Sequence, residues 1–272
     1  MGNNRTVAEV YGETAVREEE FDALVNRSLQ PRPATMLYDK MGALGLAAGS
    51  LVLDAGCRDT KHTCELVARF GYQAVGVDLV TRNVVNAQKV MAEREMVGRV
   101  TAVQGDIQDL PLPSGAFTAV WCRDVLGHPP KLHQTLAEFA RVLQPGGRLL
   151  IYVTLATDKL EPLEAQWLFE TLVITPQNMS HAYLEAGLHQ AGFVIDQIDQ
   201  VDSEWREHWE EDGTCLTSQQ LLRLARLRRN RDALIAQVGE LDYLVELADC
   251  HWGVYQMLGK LCPTVYVATK CV

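Results

Sequence analysis

Short apolar runs of about five residues recur along the chain, and most end in an acidic residue or a glycine. Leu51-Val52-Leu53 closes on Asp54, and Gln73-Ala74-Val75-Gly76-Val77 closes on Asp78. Val100–Gln104 runs into Gly105-Asp106, and Phe117–Cys122 into Arg123-Asp124. Between them lie segments of helical period, predicted across Cys64–Phe70 and about Arg82–Glu95. Leu132, Leu136, Phe139, Ala140 and Leu143 mark one face of the clearest helix. Pro145-Gly146-Gly147 reads as its stop, with a fifth strand from Leu149 to Val153. A helix over His181–Ala191 leads to a sixth strand near Gly192–Ile195, and Thr264–Ala268 reads as a seventh. Alternating β and α elements predict a mostly parallel, seven-stranded sheet with helices on both faces.

The segments outside that rhythm set the expected organisation. Residues 1–46 are charged and poorly aliphatic at first, broken at Pro31-Arg32-Pro33, and read as an N-terminal helical lid. Residues 47–203 form the core. About 60 residues of helical character separate the last two strands, too long for a hairpin loop, so 204–262 is expected to be an inserted helical cap. Residues 263–272 then return to the sheet.

Composition narrows the function. A 272-residue chain with 47% hydrophobic residues suits one large α/β domain with an insertion. A formal net charge of −10 repels polyanions, so no nucleic-acid partner is expected. The arginines 223, 226, 228, 229 and 231 read as the solvated face of a helix. No run reaches the roughly 20 apolar residues of a membrane span, and no secretory leader is evident. Seven cysteines without a CxxC pair predict reduced thiols, a cytoplasmic location and no metal site; Cys250-His251 with Cys262 lacks a second close ligand pair.

The chemistry concentrates at the strand ends. A tight glycine turn after a strand, followed by a second strand ending in a carboxylate, is how an α/β sheet holds a nucleoside. The turn admits the ligand close to the backbone, and the carboxylate accepts from ribose hydroxyls. Asp54-Ala55-Gly56 and Asp78 supply that pair. The pyrophosphate turn of a dinucleotide enzyme needs GxGxxG, which Gly56-Cys57-Arg58-Asp59-Thr60 does not provide.

Five segments in order, Leu53–Cys57, Val77-Asp78, Gly105–Ile107 with Leu110–Pro113, Phe117–Val120, and Glu138 with Arg141–Gly147, resemble the class I S-adenosylmethionine-dependent methyltransferases. The likeness is to the small-molecule branch, covers about 100 residues, and implies a Rossmann-like core. It implies that Asp54, Gly56 and the turn face the methionine end of S-adenosylmethionine, and that Asp78 binds the ribose. Leu79 and Ile107 would pack on the two faces of the adenine, and Asp106 would accept from its amine. Arg123 would contact cofactor or acceptor, and Tyr11 of the lid would close over the site. Where the family continues with glycines, this chain has Arg58 and Thr60, and Arg58 is a candidate partner for the cofactor carboxylate.

Methyl transfer from a sulfonium needs in-line positioning and, for a protic acceptor, a base. His128, at the C-terminal edge of strand four, is the candidate base. His181 and Tyr183 are candidates for facing the acceptor, as are Trp252 and Tyr255 of the aromatic-rich cap. The expected reaction is methylation of a bulky or hydrophobic small molecule, with S-adenosylhomocysteine as product. The alternative is a relative that binds the cofactor but catalyses a cyclisation or other non-methylating rearrangement. Expected partners are the small-molecule acceptor alone, with no nucleic acid and no membrane; a homodimer is left open.

Overall fold

A computed structural model describes residues 6, 8–9 and 15–271. Tyr11 lies outside the described residues. Two compact units divide the chain, residues 1–31 and 32–272. The first carries α1 (Ala15–Val25).

The second unit begins with α2 (Met36–Gly42), whose Leu37 and Met41 are fully buried. The sheet then builds from β1 (Leu51–Ala55), α3 (Lys61–Phe70), β2 (Gln73–Asp78), α4 (Thr81–Glu93), β3 (Val100–Gln104) and β4 (Phe117–Arg123). It continues through α5 (Leu132–Val142), β5 (Leu143–Ala156), α6 (Pro162–Thr171) and a 3₁₀ turn at Pro176–Met179. α7 (His181–Gln190) leads to β6 (Phe193–Gln200). Four helices follow: α8 (Glu204–Glu211), α9 (Leu216–Arg229), α10 (Arg231–Val238) and α11 (Glu240–Met257). β7 (Leu261–Lys270) closes the sheet.

The strand order is β3-β2-β1-β4-β5-β7-β6, with β1 to β5 parallel and β7 antiparallel to both of its neighbours. It is the mostly parallel α/β sheet that the alternation predicts. Successive strand residues point to opposite faces. Leu53, Val120 and Leu149 therefore pack under α5 and α7, whose Leu132, Leu136, Phe139, Leu184 and Leu188 meet them. Val52, Trp121 and Leu150 face the other way, onto Leu37, Met41 and Leu66 of α2 and α3. The helical insertion between β6 and β7 has its own small core, where Tyr255 and Ala248 meet Leu168 and Phe169 of α6.

Two boundaries differ from expectation. Pro145-Gly146-Gly147 does not separate helix from strand. β5 pairs from Leu143 onward, and the register jumps from Phe117↔Leu143 to Ala119↔Arg148. The glycines thus sit in a bulge inside a 14-residue strand. The sixth and seventh strands also run longer than their apolar runs, because antiparallel pairing extends through polar residues as far as Gln200↔Thr264.

Candidate active site

The C-terminal ends of β1, β2 and β4 open on a cavity of about 730 Å³. Ligands bind at this edge of an open α/β sheet, where strand order reverses about β1 and β4. The turn after β1 forms its floor. The backbone N–H groups of Gly56 and Cys57 both donate to the Val77 carbonyl, at 2.8 and 3.0 Å. Gly76 lets the turn lie that close: a Cβ there would come within 2.7 Å of Cys57 Sγ.

The two residues that stand where the family has glycines hold left-handed backbone, Arg58 at φ 50° and Thr60 at φ 63°, beside Gly56 at φ 82°. Side-chain-bearing residues pay for that conformation. The turn keeps the shape a glycine-rich sequence would give it. It also points the Arg58 N–H at Asp78 Oδ2, at 2.9 Å.

Asp78 is nearly buried and accepts two further hydrogen bonds on Oδ1, from Val80 N (2.9 Å) and Asn83 Nδ2 (3.0 Å). Three donors fix the carboxylate and leave one of its roughly four acceptor positions, on Oδ2, for a ligand hydroxyl. Leu79 and Val80 line the same cavity with 64% and 51% of their surface exposed. Ile107 also lines it and is buried. Asp106 accepts from Gln108 N at 2.8 Å and from the Gln108 amide, and Gln108 Oε1 accepts from Lys131 N at 3.0 Å. That loop is anchored by α5. Glu138 accepts from Leu110 N, while Arg141 donates to the carbonyls of Leu110 and Leu112 and pairs with Glu138 at 2.7 Å.

Asp54 is 2% exposed and accepts from Thr63 Oγ1. Burial pushes its carboxyl up to about 7. Arg123 donates to the imidazole of His62, which also meets Tyr38 OH at 2.7 Å. Enclosure first, and the Arg123 charge second, lower His62 to about 4, so the ring is a neutral acceptor that holds the guanidinium in the cavity wall. Burial raises the Cys57 thiol far above its ordinary range, which removes it as a nucleophile.

A second cavity of about 190 Å³ shares Asp124 and His128 with the first. Val153, Leu172, Ile174 and Trp252 make its apolar wall, and Thr154 and Asp249 its polar one. His128 Nδ1 is 3.0 Å from the Val173 carbonyl oxygen. A carbonyl only accepts, so Nδ1 carries the hydrogen, and in the neutral imidazole the lone pair is then on Nε2.

The structure therefore gathers Asp54, Gly56, Arg58, Asp78, Leu79, Asp106, Ile107, Arg123 and His128 around one cavity, and sets Trp252 in its annex. His181, Tyr183 and Tyr255 line neither cavity. His181 Nδ1 meets Tyr266 OH at 2.7 Å, and Tyr183 stacks on His133 with ring centroids 4.3 Å apart, both on the α5–α7 face of the sheet. Tyr255 is buried in the insertion's own core, where α11 packs on α6. These three belong to packing. Of the remaining cap aromatics, Trp205 stacks on Tyr152 in the main core and Trp209 lies under the Arg206 guanidinium. Sequence reading missed Asn83, His62 and Asp124. Asp124 was findable by the strand-end rule that picked Asp78, since it directly follows β4; His62 and Asn83 carry no such signal.

A family model for a methyltransferase domain matches residues 53–151. The chain is 28% identical to the 27-O-demethylrifamycin SV methyltransferase of Amycolatopsis mediterranei (strain S699), over 64% of this chain and 65% of that one. It is 31% identical to the S-adenosyl-L-methionine-dependent Diels-Alderase iccD of Talaromyces variabilis, over 57% and 56% respectively. The matches span less than two thirds of the length of these two curated relatives. Among solved structures, the [4+2]-cyclase SpnF superposes with a TM-score of 0.70 over 98% of both chains, at 19% identity. That likeness is one of fold.

Proposed function

We propose that this chain, which belongs to the class I S-adenosylmethionine-dependent methyltransferases, binds S-adenosylmethionine in the larger cavity and methylates a small molecule seated against the smaller one. The observation that carries the reading is the Asp78 carboxylate, fixed by three donors at a strand end and left with one open acceptor position. A ribose diol satisfies it.

The other walls suit the rest of that cofactor. Leu79 and Ile107 offer apolar surface to the two faces of a purine, and Asp106 accepts at its edge. Arg58, Lys61 and Arg123 bring positive charge to the turn, where the methionine carboxylate would lie. When bound, the cofactor supplies an already activated methyl group, so the chain's own contribution is orientation and proton removal. His128 stands on the wall common to both cavities with Nε2 free, and accepts the proton of an acceptor hydroxyl or amine. The apolar wall of the annex favours a hydrophobic acceptor, as does kinship with enzymes named for a demethylrifamycin and for a sterol. Among the described residues no helix is long and apolar enough to cross a membrane. With all seven cysteines free, we place the protein in the cytoplasm.

The test is calorimetric titration with S-adenosylmethionine and S-adenosylhomocysteine, alongside Asp78→Asn. Micromolar binding, weakened at least about tenfold in the variant, is expected from the loss of one charge-assisted hydrogen bond. Failure of the wild type to bind either ligand would end the proposal.

A second reading keeps the cofactor but not the transfer, and its support is likeness to proteins named as a Diels-Alderase and a [4+2]-cyclase. Release of S-adenosylhomocysteine in step with conversion of the acceptor separates the two.

A further inference from the structure

The chain leaves β4 through Leu126–Pro130, which carries His128 along the wall shared by the two cavities. Four successive carbonyls of this stretch are held by one other segment, residues 173–178. Asn178, 1% exposed, donates through Nδ2 to Leu126 O at 2.9 Å and to Pro129 O at 2.8 Å. Thr175 donates from its N–H to Gly127 O at 2.8 Å and from Oγ1 to His128 O at 3.2 Å. The same segment returns one acceptor, the Val173 carbonyl on His128 Nδ1.

Val173 delivers it from the end of α6. It takes φ 54° as the left-handed residue that closes that helix, with the Ile174 N–H on Phe169 O at 2.8 Å and its own N–H on Glu170 O at 3.4 Å. The cap that ends α6 thus sets the direction of the carbonyl that meets the imidazole.

We propose that segment 173–178 is a positioning device for His128. Val173 fixes the ring as the Nδ1–H tautomer, Asn178 and Thr175 fix the backbone beneath it, and Nε2 is thereby committed to taking a proton. The inference rests on the methyltransferase reading for its use. As the bond from the acceptor heteroatom to the methyl carbon forms, that heteroatom's proton passes to Nε2. The carbon–sulfur bond breaks with its electron pair left on sulfur. The acceptor class that follows is a molecule presenting an O–H or N–H, rather than a bare alkene.

The test is a ¹⁵N–¹H correlation spectrum of the full chain labelled at histidine, recorded at about pH 8.5, above the ordinary histidine range. His128→Gln assigns the signal. The wild type and Val173→Gly, which accepts the left-handed backbone, are expected to show the Nδ1–H pattern alone. Val173→Pro, with φ locked near −65°, withdraws the carbonyl and is expected to lose that single pattern. Should the proline variant fail to fold, Asn178→Ala is expected to lose it as well. An Nε2–H pattern in the wild type, or an unchanged Nδ1–H pattern in the folded proline or alanine variant, would overturn the proposal. Because the spectrum needs no cofactor, its outcome is independent of whether S-adenosylmethionine binds.

Discussion

Arg58 is the residue at which this chain's departure from a glycine-rich turn can be turned into numbers. It holds φ 50°, its N–H is committed to Asp78, and it lines the larger cavity, where we propose the cofactor binds. Two substitutions separate the backbone effect from the side-chain effect. Arg58→Ala removes the guanidinium and keeps a Cβ in the left-handed region; Arg58→Gly removes both. A left-handed residue with a Cβ costs about 1–2 kcal/mol, and glycine gives back about 0.5–1 kcal/mol through its freer unfolded chain. The glycine variant should therefore exceed the alanine variant by about 1 kcal/mol, or about 2–4 °C in Tm for a chain of this size.

The side chain is exposed, so its pairing with a cofactor carboxylate is worth about 1 kcal/mol. Both variants should bind S-adenosylhomocysteine about fivefold more weakly, and the gap should shrink at high salt. Thermal melts without ligand read the first effect, and calorimetry at two salt concentrations reads the second. Equal melting points for alanine and glycine would refute the strained turn. Unchanged affinity in both would remove Arg58 from the cofactor site and leave Arg123 and Lys61 to neutralise the carboxylate.

Three further outcomes test other parts of the site. Gly76→Ala places a methyl 2.7 Å from Cys57 Cβ and Sγ, so the turn must lift. A loss of about 1–3 kcal/mol in urea melts is expected together with weaker cofactor binding; intact affinity would mean the turn does not rest on β2. Arg141→Lys replaces a planar fork that serves Leu110 O, Leu112 O, Ser114 Oγ and Glu138 with a single ammonium. It should cost about 1–3 kcal/mol and loosen the Asp106 loop, read as faster amide exchange over 106–112. For Asp54 the folded-state value is raised, from 3.8 to about 7, so the folded protein holds this proton more tightly than the unfolded chain. Stability from this group is present below about pH 4 and is lost as pH rises to about 7. Asp54→Asn removes that loss, so the Tm of the ligand-free variant should gain on the wild type across this window; parallel curves would show that Asp54 ionises freely.

The lining of the larger cavity was legible because its residues sit where the backbone puts them. A strand end fixes the place of Asp78 and of Asp106 whatever surrounds them, and the run from Glu138 to Gly147 has a mechanical reason visible in the fold. Glu138 and Arg141 bind the backbone of the loop that carries Asp106 and Ile107. Where sequence reading failed, the missing quantity was direction. His181 and Tyr183 open a helix after β5, as expected, but α7 packs on α5, and no periodicity says which side of the sheet a helix takes. Trp252 and Tyr255 are three residues apart on α11, yet one lines the annex and the other is buried against α6. The Pro145-Gly146-Gly147 stop is a composition rule overridden by pairing, because β4 pairs with Leu143 on the far side of it.

The smaller cavity, the proposed acceptor side, is built differently. His128 lies on a loop whose carbonyls are satisfied by Asn178 and Thr175, some 50 residues away in sequence. Leu172 and Ile174 of that same segment also wall the annex, opposite Trp252 from the cap. One short stretch thus both orients the base and shapes the space beside it. Changes in residues 172–178 would then alter acceptor choice and proton removal together, whereas changes in the turn at 56–60 would alter cofactor affinity alone. On the proposed reading, the sheet edge would hold the cofactor by backbone and carboxylate, while a segment with no recognisable motif would decide whether a proton has anywhere to go.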